Sequence, residues 1–196
     1  MGFFPDEPAE RAPVPPPAPR SIPPWMQPPT DEYPVRLPVR EFIVRTPETV
    51  ITVSHVDVHR AGVLIALDTV VRRTGEAEER WQGSWGSVAG RGRPGEPRMG
   101  LALGDGTAVL AHSRGRPPRL DEPPAGWSLR PIGGSGGGDS TEYRTSFGLW
   151  LWPLPPAGAL ELVLEMLERG IPETRLTLDA DAMLAAVPGV RPMWPE

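Results

Sequence analysis

His55, Asp57 and His59 alternate with Val56 and Val58 in the run VITVSHVDVH. An extended backbone sends alternate side chains to the same side, so the three form one row. Two imidazoles and a carboxylate are a possible ligand set for a first-row metal, and such an ion could serve a metal-assisted hydrolytic enzyme. Alternate strand residues stand ~7 Å apart, which suits a shared ion poorly unless a bulge brings them together. The competing reading is the polar outer face of a half-buried strand.

Other chemistry-bearing patterns are weaker. Ser135 in Gly133-Gly134-Ser135-Gly136-Gly137 has the letters of a nucleophile elbow, but it lacks the strand before and the helix after that such an elbow needs. The run reads instead as a flexible glycine-serine connection. Gly90, Gly92 and Gly95 match a dinucleotide fingerprint without any βαβ setting. Arg91, Arg93, Arg98, Arg114, Arg116 and Arg119 flank one expected hairpin, and Arg114 and Arg116 in particular could meet an anionic partner. The interspersed Glu96, Asp121 and Glu122, and a net charge of −5, disfavour nucleic acid.

The proline-rich arm carries a stronger hint, and the tryptophans add to it. Trp150 and Trp152 fall on the strand face opposite to Phe147, Leu149 and Leu151, so if one face is core the tryptophans form an apolar patch on the other. The patch is expected to be covered by the N-terminal arm or by a second copy. Residues 1–38 hold thirteen prolines, which deprive the backbone of donors and bias it to polyproline II. Trp25 lies within that arm and is expected to pack on the domain. PVPPPAPR could also dock in an aromatic groove of a partner, with Arg20 as its basic flank.

The elements that would position these groups are strands. In residues 147–179 three apolar runs of period two are separated by proline and glycine turns: Phe147, Leu149 and Leu151; Leu160, Leu162, Leu164 and Met166; Leu176 and Leu178. They predict consecutive antiparallel strands packed on a second layer. Upstream, VREFIVR, VITVSHVDVH and VLIALDTVV predict three more, the last two a hairpin. Ile51 and Val53 share one parity and Val56 and Val58 the other, which predicts a bulge or strand break near Val53 to His55. MGLALGDGTAVLAH predicts a second hairpin, and Trp127 to Ile132 a short strand. Trp81 and Trp85 belong to a short strand or a tucked loop, and Asp179 or Asp181 is placed to cap a short helix at Met183 to Val187. The expected fold is an all-β, immunoglobulin-like antiparallel sandwich of seven to nine strands over residues 39–196, preceded by the arm.

Composition bounds the rest. The 196 residues suit one domain, and the 28 prolines and 22 glycines cluster rather than spread. All 20 basic residues are arginine; lysine, asparagine and cysteine are missing, a pattern that GC-rich coding explains without selection for arginine geometry. Without cysteine there is no disulfide framework or thiolate metal site. The start MGFFPDEPAERAP reads as neither signal peptide nor anchor, so a cytoplasmic location and no membrane association are expected.

GLWLWPLPPAGALELVLEMLERGIPETRLTLDA, together with FFPDEP and PPW near the start and MWPE at the end, resembles a group of uncharacterised proteins of high-GC actinobacteria. The resemblance implies a shared immunoglobulin-like sandwich and carries over no site or cofactor. The sequence thus favours a non-enzymatic interaction or scaffold module. In it the arm with Trp25, the Trp150/Trp152 face, and Arg114 and Arg116 meet a protein partner or a second copy, with no cofactor. The alternatives are a metal-assisted hydrolase through His55, Asp57 and His59, or a small-ligand or glycan-binding domain.

Overall fold

The computed structural model describes residues 22–77, 79, 81–82, 97–111 and 121–195. Among them eleven strands form three antiparallel sheets, and the chain is an all-β sandwich. One layer has five strands in the order β2 (Val35–Arg45), β3 (Thr49–Val58), β4 (Val63–Arg72), β8 (Glu142–Trp152) and β7 (Ser128–Gly138). The other has four, in the order β10 (Ile171–Asp179), β9 (Ala159–Met166), β5 (Arg98–Ala102) and β6 (Ala108–Leu110). A two-residue ribbon pairs β1 (Glu32–Tyr33) with β11 (Arg191–Pro192). No described helix is long and apolar enough to cross a membrane.

The core is what period two predicts. Ile51, Val53, Val56, Val58, Ile65, Leu67, Leu149 and Leu151 of the larger sheet face Leu101, Leu160, Leu162 and Leu164 of the smaller, and all are at most 1% exposed. The ladder between β3 and β4 slips between Val53 and His55, so Val56 and Val58 return to the core side. This is the expected bulge, and it turns His55, Asp57 and His59 outward. The Leu101/Val109 hairpin forms as expected. A helix α1 (Ala180–Ala186) follows β10, capped by Asp179, whose carboxylate accepts from the Ala182 N–H at 2.9 Å.

Two expectations are corrected. β8 and β9 are not neighbours: the proline-rich connection after Trp152 carries the chain from one layer to the other, so only β9 and β10 of that trio pair. The run from Gly133 to Gly138 is not a flexible link but the second half of β7, paired with β8 from Ser135↔Ser146 to Gly138↔Tyr143. The Tyr143 ring explains its composition. A Cβ on Gly136 would come within 2.5 Å of the Tyr143 hydroxyl, and one on Gly138 within 2.9 Å of its ring. The glycines therefore leave room for an aromatic side chain that packs over them, and a compositional reading cannot see that partner across the hairpin. Tyr143 joins Trp81 and Val71 in a small second core, where the Trp81 indole N–H donates to Asp139 O at 2.7 Å. Trp85 lies outside the described residues.

Residues 32–38, read from composition as arm, lie in or beside strands, because β1 and the start of β2 fall there.

Candidate functional site

Trp150 stands on the outer face of β8, opposite Leu64 of β4 on one side and Arg130 of β7 on the other. Its side chain is nevertheless fully buried, at 0% exposure. The cover is the chain's own segment before β2. Pro23 to Met26 make a turn closed by the Met26 N–H donating to Pro23 O at 2.9 Å. The Trp150 indole N–H donates to Pro24 O at 2.8 Å, across 126 positions of sequence. Trp25 sets its ring edge-on to Trp152, 6.0 Å between centroids. Two successive prolines leave carbonyls that no helix or ladder claims, and a buried indole needs one such acceptor. Trp25, Trp150 and Trp152 thus come together, with the arm as cover.

Below this seat, Glu32 of β1 fastens the strap. Its carboxylate accepts from the Arg60 backbone N–H at 3.2 Å and lies 3.6 Å from the Arg60 guanidinium and 3.4 Å from His59 Nδ1. Arg60 also donates to Val190 O at 3.2 Å, and the Met193 N–H donates to Asp31 O at 2.7 Å, which ties the C-terminal ribbon to the same place. The His59 ring meets Trp150 edge-on at 5.4 Å. Burial pushes His59 below its ordinary value of 6.5, against the opposing pull of Glu32 and Asp57.

This has a signed consequence. A folded-state pKa below the unfolded one means that the unfolded chain takes up a proton first, so the stability due to neutral His59 is intact above about pH 6.5 and drains away as the pH falls toward the folded value. Urea unfolding should show a steeper loss between about pH 7.5 and about pH 5.5 for the native chain than for His59→Gln, which keeps the bulk without the titration. Parallel losses in the two proteins would contradict the assignment.

The suggested metal set does not converge. Both oxygens of Asp57 are held by Arg36, through Nε and Nη2 at 2.8 Å each. His55 reaches Asp57 only at 3.6 Å and contacts Ser54 Oγ through Nδ1 at 3.1 Å, while His59 turns to Glu32. Among the described residues no three histidine, aspartate or glutamate side chains are placed to hold a metal ion. Bidentate Arg36 supplies the cation this carboxylate faces, and the bulge that frees the row also points its last member across to the strap.

Arg114 and Arg116, with Arg91, Arg93 and Arg119, lie outside the described residues. Arg98 is described and pairs with Glu165. Ser135 sits on edge strand β7, in no elbow.

Glu32, Arg36, Arg60 and the Pro24 carbonyl belong to the site without any prior mark in the sequence. Pro-Pro-Trp was the one available signal. Arg130 is another: half-buried opposite Trp150, it has its Nε buried without a hydrogen-bond partner, and desolvation lowers its guanidinium pKa. On the far layer a shallow groove of about 390 Å³ lies over Gly100, Ala102, Ala108, Leu110 and Val163. Its rim carries Arg98 paired with Glu165 and Arg175 paired with Glu161 and Glu173, so it offers compensated rather than free charge. Comparison with protein-family models, with curated proteins and with solved structures finds no match to this chain.

Proposed function

We propose that the chain is a non-enzymatic protein-interaction module whose tryptophan face is a receptor for a proline–tryptophan turn. The single observation behind this reading is the Trp150 to Pro24 hydrogen bond, made at a fully buried indole by the short segment that precedes β1. A seat that takes a short turn of the chain's own arm has the chemistry to take the same turn from a protein partner: a carbonyl acceptor for the indole, and a ring to stand against Trp152. In the resting chain the arm is its own ligand, and a partner binds by displacing it. A cytoplasmic setting, and a role for Arg114 and Arg116 in meeting the partner, belong to the same reading.

The test keeps the whole chain. In Trp25→Ala the strap loses its contact with Trp152, and a synthetic peptide of residues 22–31 should then bind saturably by calorimetry, more weakly when Trp150→Phe is added. Absence of saturation, or affinity indifferent to Trp150→Phe, would defeat the reading.

A further inference from the structure

The sheet edges are protected unequally. β2, one edge of the larger layer, carries Pro38, two register shifts and Arg36, Arg40, Glu41 and Arg45. β10 carries Pro172, a register shift and the charged Glu173 and Arg175. β6 is three residues long and runs into a bridge from Ala111 to Leu129. These are the usual means by which an edge is made unfit for pairing. The second half of β7, Ser135 to Gly138, follows a register shift between Ile132 and Ser135 but within itself carries no proline and no charge, and all four residues are exposed.

Its hydrogen-bonding direction follows from the hairpin. The Asp139 N–H donates to Glu142 O at 2.9 Å, and bonded pairs recur at every second residue, at Gly137↔Arg144 and Ser135↔Ser146. The N–H and C=O of Gly136 and Gly138 therefore point away from β8. Gly136 and Gly138 face inward under Tyr143, so Ser135 and Gly137 take the outer face, where a Cβ on Gly137 meets nothing within 4 Å.

We propose that this edge pairs with the same edge of a second copy of the chain, antiparallel about a two-fold axis at Gly136. That axis sets Gly136 against itself as a bonded pair and Ser135 opposite Gly137 of the second copy, and keeps inner and outer faces matched across the junction. A foreign strand would gain only backbone bonds here, because strand addition draws its selectivity from side-chain pockets and a glycine edge has none. Self-pairing satisfies both open edges at once. Four residues bury far less than the roughly 800 Å² per partner of a stable interface, so the dimer is weak and concentration-dependent.

The experiment is sedimentation of the full chain from about 10 μM to about 1 mM, a span chosen for a weak complex, with amide exchange at Gly136. A dimer should grow with concentration, and exchange at this amide should slow in step. S135K/G137K sets lysines opposite each other twice and should raise the midpoint concentration about tenfold. Trp25→Ala should leave the association unchanged, which separates this edge from exchange of the strap. A monomer throughout, an association that ignores the lysines, or a Gly136 amide indifferent to concentration would each overturn the proposal. The exchange measurement on the native chain stands even if the lysine variant misfolds.

Discussion

Trp150→Ala should lower the free energy of unfolding by about 3–5 kcal/mol, the range for removing a buried large aromatic side chain. The indole is fully buried and touches four separate parts of the chain: Gly62 beside it, His59 at its edge, Leu64 across the ladder, and Pro24 above it. Those neighbours are backbone, a ladder residue and a buried imidazole held beside Glu32, so the site cannot collapse onto the void and most of the cavity cost remains. The strap should also loosen. Amide exchange at Met26 and Met193, whose N–H groups donate to Pro23 and Asp31, should quicken more than exchange in β9. Trp150→Phe divides the effect: it keeps most of the apolar bulk but removes the donor to Pro24, a loss of about 1 kcal/mol for one hydrogen bond whose acceptor can turn to water. Urea unfolding followed by far-ultraviolet dichroism measures both, since tryptophan emission changes with the substitution itself. A loss below about 1 kcal/mol for alanine would show that the indole covers the sheet without supporting it.

Gly62→Ala is expected to be nearly as damaging, at about 3 kcal/mol, through overpacking rather than a void. A Cβ there would overlap the Leu151 carbonyl oxygen and stand 2.8 Å from Trp150 Cη2. Leu151 O belongs to the ladder in which Val63 pairs with Leu151, next to the β3–β4 turn closed by the His59 N–H donating to Gly62 O, so it cannot withdraw without breaking pairing. The ring is held from the other side by the strap. Gly126→Ala is the control, because a Cβ there meets nothing within 4 Å, and it should be neutral or slightly stabilising. Thermal melts of both variants decide the matter; equal behaviour would mean that the Trp150 seat yields.

Much of this was legible in the residues themselves. The parity of Leu160, Leu162 and Leu164 gave their burial, because a half-buried strand must place every second side chain inside. The phase change between Val53 and Val56 gave the bulge for the same reason. Even the cover over Trp150 followed from an apolar row on a face that the core could not use. The glycine run was misread because its determinant, Tyr143, reaches it across the hairpin, and composition carries no record of a cross-strand neighbour. The row of His55, Asp57 and His59 was visible, but its chemistry was decided by Arg36 and Glu32, which arrive from β2 and β1. Periodicity, turn residues and capping groups act over a few positions, so this sequence by itself determined the strands, their inward faces and the helix cap at Asp179. The tertiary structure decided which strands share a sheet, which edge stays open, and which carbonyl meets the Trp150 indole, because those contacts join residues as far as 126 positions apart and depend on where the folded layers bring them.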